Sequence, residues 1–216
     1  MSRVPERPQP PDRFADILEE RSRALGLALP APAARLFAHY LAELDVWRRR
    51  FNLTGQLGSE DLADHALESI PASPPEVIAR GARVVDIGSG AGFPAIPLAI
   101  LRPDAGFTLF EPTGKKTTFL LHLARELPLV NVRVQPRRIE ESRGETFHVA
   151  TVRGVGSLGR HLGNAGFLAP DGRLLAWTTD AGELARALTR FRLVDEIPIP
   201  GSDRKRIGVF ERVSGG

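Results

Sequence analysis

The chain has no cysteine among its 216 residues. That absence excludes disulfide bonds, thiolate metal ligands and a thiol nucleophile. The chain also has no apolar run of the roughly 18 residues that a membrane-spanning helix needs. Its five histidines include no close pair of the H-E-x-x-H kind that binds a metal ion. We therefore expect neither a membrane span nor a metal site.

Residues 1–12 are rich in proline and charge and lack the apolar segment of a secretory signal. We interpret them as a disordered lead-in and expect a cytoplasmic protein. A hydrophobic content of 42% and a charged content of 25% are those of an ordinary globular protein with one substantial core.

The formal net charge is only +3, but the cations are clustered. The clusters are Arg48–Arg50, Lys115–Lys116, Arg137–Arg138 and Arg204–Arg206. Most are arginine, whose planar guanidinium suits phosphate, although arginine usage can also follow genome composition. Charge alone therefore leaves RNA binding open.

Residues 13–80 are predicted to form an N-terminal helical region. Asp12 could cap a first helix that ends near Gly26, Pro30 or Pro32 opens a second, and Ser59 can cap a third. The second helix has an apolar stripe at helical spacing, made by Leu36, Tyr40, Leu44, Trp47 and Phe51.

Residues 81–216 alternate short strands with helices, the pattern of a mostly parallel, doubly wound sheet. Strands are predicted at Arg83–Ile87, Phe107–Phe110, Val132–Gln135, Val149–Val152 and Leu174–Trp177. Helices are predicted at Pro94–Leu101, Gly114–Leu127, Ser157–Leu168 and Ala181–Phe191. Leu193–Ile199 and Ile207–Val213 leave no room for a helix between them, so they are predicted to pair as an antiparallel hairpin at the end of a seven-stranded sheet.

The most informative segment joins the first strand to its helix. Asp86 stands two residues before Gly88, and the pattern G-x-G-x-G continues through Ser89, Gly90 and Gly92. Glycines let the backbone turn sharply and approach a ligand closely. A dinucleotide fold would need a small residue where Phe93 stands, because a bulky side chain crowds the pyrophosphate. The pattern favours the loop of S-adenosylmethionine enzymes, with Asp86 at the ammonium group and Phe93 beside the cofactor; a ligand-free turn is the alternative.

Two further segments fit the same nucleoside. Glu111 ends the second strand, where a carboxylate can accept both ribose hydroxyls, and Pro112 follows it. Ile139 and Glu140 follow the third strand and could meet the adenine ring. The alternatives are a solvated strand-end glutamate and a surface loop of mixed charge.

Arg153 ends the fourth strand and should face the ligand crevice. Its guanidinium could bind a guanine edge, a phosphate or the cofactor carboxylate. A salt bridge to Glu140 or Asp86 is the structural alternative.

Together these motifs resemble the RsmG family, also called glucose-inhibited division protein B. The resemblance covers residues 33–212 and lies in WRRRFNLT (47–54), DHALES (64–69), VVDIGSGAGFPAIPLA (84–99), EPTGKKTTFL (111–120), Asn131–Val132, Arg138–Glu141 and Val152–Arg153. It implies a class I, Rossmann-like S-adenosylmethionine-dependent methyltransferase fold with an N-terminal helical extension. It also implies a monomer that methylates N7 of a guanine in 16S rRNA, free or within the small subunit or its assembly intermediate.

The resemblance also implies roles for residues outside the glycine loop. It places Asn52, Thr54, His65 and Arg153 near the methyl-transfer pocket. Arg48, Arg49, Lys115, Lys116 and Arg153 are the candidates for RNA contacts. The chain departs from the family pattern at four positions: Asp64 replaces an arginine, Glu68 and Glu111 replace aspartates, and Thr178 replaces a lysine. The loss of an arginine and a lysine leaves open whether this chain contacts RNA as the family does.

Guanine N7 has an exposed lone pair and no proton, so it can attack the methyl group in line without a general base. The missing catalytic dyad is therefore expected, and His65 is not assigned as a base. Val152-Arg153-Gly154 stands where an adenine-N6 enzyme would have a [D/N]-P-P-[F/Y] motif. The alternatives are a small-molecule methyltransferase, a non-catalytic RNA-binding assembly protein and, disfavoured by Phe93, a nicotinamide dehydrogenase.

Overall fold

The structure is a computed structural model that describes residues 12–213 except 56, 143, 155–161, 163 and 164. The described residues form helices α1 (Asp12–Ala24), α2 (Ala31–Arg48), α3 (Ser59–Leu67), α4 (Ala95–Leu101), α5 (Gly114–Glu126) and α6 (Ala181–Ala187). The strands are β1 (Arg83–Ile87), β2 (Gly106–Phe110), β3 (Val132–Gln135), β4 (Phe147–Arg153), β5 (Leu168–Thr178), β6 (Phe191–Pro198) and β7 (Arg206–Arg212). Apart from Asp12, which begins α1, the predicted lead-in lies outside the described residues.

The strands form one seven-stranded sheet in the order β3-β2-β1-β4-β5-β7-β6. The first five strands are parallel, and β7 runs antiparallel between β5 and β6. This confirms the predicted α/β fold and its terminal hairpin. The strand order reverses between β1 and β4, which opens a crevice at the carboxyl ends of those strands.

Alternate residues of the central strands supply two apolar cores, one on each face of the sheet. Val84 packs with apolar side chains of α1 to α5, whereas Val85 and Ile87 pack on the opposite face with those near α6. Tyr40 and Leu44 of the predicted α2 stripe are fully buried in the first core. The N-terminal helices therefore share a core with the sheet and are fixed relative to the carboxyl ends of its strands.

Three local predictions are corrected. Residues 157–161, 163 and 164 of the predicted helix Ser157–Leu168 lie outside the described residues. Its end is wrong, because Ala165–Phe167 forms a 3-10 turn and Leu168 pairs with Phe147 as β5 begins. Helix α6 stops at Ala187, since Phe191 already pairs with Arg212 in the hairpin.

The third correction concerns the start of α3. Gly58, and not Ser59, is the N-cap residue. The carboxylate of Asp61, in the first turn of α3, accepts the backbone N–H of the N-cap residue Gly58 at 2.7 Å. The start of the helix is therefore stabilised by Asp61 and not by a side chain at the N-cap. None of the helices in the described ranges is both long and apolar enough to cross a membrane.

Candidate active site

Asp86 is buried at the end of β1 beside its neighbour on β4, Thr151. The Thr151 hydroxyl donates to Asp86 Oδ1 at 2.6 Å, while Oδ2 is buried without a hydrogen-bond partner in the described part of the chain. Burial raises the pKa of Asp86 to about 7, and the Ser89 and Thr151 hydroxyls oppose that rise. A buried carboxylate oxygen without a donor suits a cationic group, as the ammonium end of S-adenosylmethionine would be.

The loop after Asp86 turns through left-handed backbone at Gly90 (φ +58°) and Gly92 (φ +101°). Side chains are disfavoured in that region, and a Cβ atom on Gly92 would lie 2.7 Å from Ile96 Cγ1. The loop is also tied to the neighbouring strand, since Gly88 N–H and Ser89 N–H both donate to the Phe110 carbonyl. The predicted glycine loop is therefore a turn whose backbone is held in place, and its binding of the methyl donor stays a prediction.

Glu111 joins that loop to the segment after β2. Its Oε2 accepts the Gly90 N–H and its Oε1 accepts the Thr113 N–H, each at 2.8 Å. The side chain is buried, yet each carboxylate oxygen keeps further acceptor capacity. Glu111 thus holds the glycine loop, a role that sequence reasoning missed, and its predicted role as an acceptor for the ribose hydroxyls stays a prediction.

A cleft of about 210 Å³ opens at the carboxyl ends of β1 to β4. Five of the residues predicted to bind the cofactor line it: Gly88, Glu111, Pro112, Ile139 and Glu140. Lys116, predicted from the sequence only as an RNA contact, also lines it. Gly154 extends the lining to the residue after Arg153. Segments far apart in the sequence therefore meet around one cavity of the kind a nucleoside needs.

Arg153 lies next to this cleft, and its ion-pair partner is Glu68, which the sequence did not predict. Its Nη2 is 2.5 Å from Glu68 Oε2, and its Nη1 donates to the His65 carbonyl at 3.2 Å. Lys205 Nζ donates to the other oxygen of Glu68 at 2.7 Å. Although burial opposes ionisation of Glu68, Arg153 and Lys205 hold its pKa below the ordinary value. The salt bridge is to Glu68, directly after α3, and not to Glu140 or Asp86.

Phe93 is surrounded by side chains from three elements. Its ring meets those of Tyr40 and His65 edge-on, with centroids 5.4 and 5.7 Å away, and the Arg153 guanidinium lies 6.0 Å from its centroid. Burial and the positive charge of Arg153 lower the pKa of His65 to about 4. His65 is therefore neutral at physiological pH.

Tyr40 was missed as a functional candidate. Its side chain is fully buried, and its hydroxyl donates to the Ala91 carbonyl within the glycine loop at 2.8 Å. The available signal was a tyrosine in an otherwise apolar stripe, since a buried phenol hydroxyl needs a partner.

Asn52 and Thr54 lie on the segment between α2 and α3. Asn52 Oδ1 accepts the Gly55 N–H at 3.0 Å, and the Thr54 hydroxyl lies 3.4 Å from the Gly55 carbonyl. These contacts order the segment itself, and a place for either residue in the methyl-transfer pocket stays a prediction.

The predicted RNA contacts differ in how available they are. Arg48 and Arg49 both bind the buried carboxylate of Asp45, and Arg48 also donates to the Leu57 carbonyl. Lys115 lies over the Phe51 ring, 5.5 Å from its centroid. The geometry gives Arg48 a structural role, and an RNA contact by any of these cations stays a prediction.

Two of the residues that depart from the family pattern, Asp64 and Glu68, form ion pairs with cations from distant segments of the chain. Asp64 forms a two-pronged ion pair with Arg21 of α1. Thr178 accepts the Asp180 N–H at 3.1 Å and offers no charge, while Lys205, from the β6–β7 turn, reaches Glu68. Sequence reasoning missed Arg21 and Lys205 in these roles because both pairs join distant segments.

The sheet, the cleft and the acid-glycine loop define a Rossmann-like, S-adenosylmethionine-dependent methyltransferase. The fold resembles the mitomycin 7-O-methyltransferase MmcR, with TM-score 0.59, 18% identity and coverage of 88% of this chain and 75% of that one. It also resembles a ribosomal protein L11 methylase from Lactobacillus delbrueckii subsp. bulgaricus, with TM-score 0.56, 14% identity and coverage of 73% and 80%. At these identities the likeness shows the fold alone.

The family follows from the sequence comparisons. The GidB family model, described as rRNA small subunit methyltransferase G, matches residues 33–187. A ribosomal RNA small subunit methyltransferase G from Halorhodospira halophila is 40% identical over 87% of this chain and 92% of its own length. The corresponding protein from Roseiflexus sp. is 36% identical over 92% of each chain. The chain belongs to this family, as its motifs predicted, and its methyl donor is S-adenosylmethionine.

Proposed function

We propose that this enzyme transfers a methyl group to N7 of a guanine in 16S rRNA, and that it does so as a cytoplasmic monomer. The observation that supports the site is the convergence at one edge of the sheet: the cleft lined by Gly88 and Glu111 adjoins the group formed by Phe93, His65 and Arg153. The substrate is proposed from the names of the relatives, which act on small-subunit ribosomal RNA.

The residues divide the work between cofactor and base. Asp86 would hold the ammonium group, Glu111 the ribose hydroxyls, and Ile139 and Glu140 the adenine. When bound, S-adenosylmethionine supplies an electrophilic methyl group. Because guanine N7 has no proton to lose, the protein needs to orient the base and exclude water, and positioning of this kind lowers a barrier by up to about 7–11 kcal/mol.

Arg153 and Phe93 are proposed to orient the target base. A guanidinium can donate to O6 of guanine, which leaves the N7 lone pair free to attack, or to a phosphate, and an aromatic ring offers a surface for stacking. The lowered pKa of His65 makes it a weak base, which fits a reaction that needs no general base. Lys115, Lys116 and the exposed side of Arg49 are proposed to contact phosphates.

The departures at Asp64, Glu68 and Thr178 leave room for a different substrate, so the target must be mapped. The test is methylation of small subunits and of free 16S rRNA from a strain that lacks this enzyme, with radiolabelled methyl donor and 23S rRNA as the control. We expect one 7-methylguanosine in 16S rRNA. Label in an adenine, in 23S rRNA or only in small molecules would overturn the proposal.

We also propose that residues 13–80 are a helical extension packed on a methyltransferase domain of residues 81–216, and that one chain is active alone. Light scattering should give the 23.5 kDa of a single chain. Among the described residues no cluster of three potential metal ligands occurs. Because the proposed in-line displacement needs no metal ion, activity should survive EDTA, and loss of activity that added metal restores would contradict this.

A further inference from the structure

The backbone of the glycine loop is held by a side chain from the N-terminal helices. The hydroxyl of Tyr40, on α2, donates to the Ala91 carbonyl, 51 residues further along the chain. Both groups are buried, with Tyr40 0% and Ala91 7% exposed. Burial raises the pKa of Tyr40 well above its ordinary value, so the hydroxyl stays protonated and able to donate.

This contact fixes one peptide plane. In a trans peptide the carbonyl and the N–H point in opposite directions, so holding both ends removes the freedom to rotate. The Ala91 carbonyl is held by Tyr40, and the N–H of Gly92 in the same peptide donates to the Ser89 carbonyl at 2.7 Å. Gly92 has φ +101°. Because glycine has no side chain to restrict its backbone, contacts from elsewhere must fix the orientation of this peptide.

The Ser89–Gly90 peptide, two peptides earlier in the loop, is held by another segment. Glu111, directly after β2, accepts the Gly90 N–H at 2.8 Å. The Tyr40 ring also meets Phe93 edge-on, which fixes the residue at the far end of the loop. Of these anchors, the Tyr40 hydroxyl is the one that comes from outside the nucleoside-binding half of the chain.

We propose that Tyr40 is a positioning residue for the methyl donor: by fixing the Ala91–Gly92 peptide it holds the loop of residues 88–93 in the shape that binds S-adenosylmethionine. The inference rests on the proposed function of that loop. Tyr40 does not itself touch the cofactor or the RNA; it acts through the backbone and couples the helical extension to the cofactor site.

The test is Tyr40→Phe, which keeps the ring and its contact with Phe93 and removes only the hydroxyl. The matched control is Phe37→Leu, one turn earlier on α2, because Phe37 is equally buried and has no polar group to offer the loop. Calorimetry should show S-adenosylmethionine bound about 3- to 10-fold more weakly by Tyr40→Phe, the effect of one buried hydrogen bond. Phe37→Leu should keep the dissociation constant for S-adenosylmethionine within about twofold of the wild-type value, even if its melting temperature falls as far as that of Tyr40→Phe.

Steady-state kinetics supply a readout that general destabilisation would not move. Tyr40→Phe should raise KM for S-adenosylmethionine, while kcat and KM for RNA stay at the wild-type values. An unchanged dissociation constant in Tyr40→Phe, or an equal loss in both variants, would overturn the inference. Failure of the wild-type protein to bind S-adenosylmethionine would instead remove the proposed function.

Hydrogen exchange on the wild-type protein keeps the inference testable if Tyr40→Phe does not fold. The Gly92 amide should be protected before the cofactor is added, since the peptide is already held at both ends. Free exchange of this amide in the absence of cofactor would overturn the inference.

Discussion

Arg153 and Glu68 form an ion pair, with 2.5 Å between Nη2 and Oε2, across 85 residues of sequence. The same carboxylate binds Lys205, so two cations share one buried anion beside the cleft. One positive charge is therefore in excess in this group, at the place where we propose that RNA arrives. Glu68 is therefore the centre of a charge cluster beside the cleft.

Glu68→Gln should be destabilising, because it leaves the Arg153 guanidinium, whose side chain is only 16% exposed, without its counter-ion. Loss of one partner from a fully buried pair costs about 3–5 kcal/mol, so for this partly buried pair we expect a loss of about 2 kcal/mol or more. Lys205→Met should cost less than about 1 kcal/mol, since Lys205 is 46% exposed and its pair is screened by solvent. Urea unfolding at pH 7.5 measures both, and equal losses in the two variants would contradict the arrangement.

Arg153→Lys should depress methylation while leaving cofactor affinity near that of the wild type. Lysine keeps the charge toward Glu68 but cannot present the planar set of donors that orients a base. A misplacement of about 1 Å can cost about a hundredfold in rate, so kcat should fall to that extent at saturating cofactor. Undiminished kcat would remove Arg153 from the substrate site.

The affinity for S-adenosylmethionine should depend on the ionisation of Asp86. Burial raises its pKa to about 7 in the free enzyme, and only the carboxylate attracts the ammonium group. The association constant should therefore fall by up to about tenfold for each pH unit below 7. Calorimetry between pH 5.5 and 8.5 measures this, with Asp86→Asn as the control that binds weakly at every pH. A flat wild-type profile would contradict the assignment.

The same shift predicts how stability changes with pH. The folded-state pKa of Asp86 lies above its ordinary value of 3.8, so between about pH 4 and 7 the folded protein keeps a proton that the unfolded chain has lost. Asp86 therefore lowers the free energy of unfolding as pH rises through that window, by a few kcal/mol. His65 acts in the opposite sense between about pH 4 and 6.5, because its pKa is lowered.

Comparing the wild type with Asp86→Asn isolates the Asp86 contribution from that of His65. The stability of Asp86→Asn relative to the wild type should increase from pH 4 to 7 and then level off. A constant difference between the two proteins over this range would show that Asp86 is not buried as described.

Much of the sheet could be predicted because short apolar runs bounded by glycine or charge determine strands locally. Strands β1 and β3 begin and end where the sequence predicted. The Asp86 and Glu111 candidates followed from the same logic, since strand ends in a parallel sheet lie at one edge. The ion pairs of Asp45 with Arg48 and Arg49 could also have been predicted, because opposite charges three and four residues apart lie on the same face of a helix.

Contacts between distant segments left no such signal. Nothing in the local pattern relates Glu68 to Arg153, or Tyr40 to Ala91, because these pairs depend on how α2 and α3 pack over the sheet. Helical periodicity indicates which face of a helix is buried but not which loop that face meets. The start of β5 at Leu168 was missed for a similar reason, since its partner Phe147 lies on another strand.

A crystal structure of the enzyme with S-adenosylhomocysteine tests the cofactor assignment most directly. The account predicts the nucleoside in the cleft beside Gly88, its ribose hydroxyls within hydrogen-bond distance of Glu111 and its ammonium group facing Asp86, directly or through one water. A nucleoside bound elsewhere, or Glu111 and Asp86 without contact to it, would contradict the account.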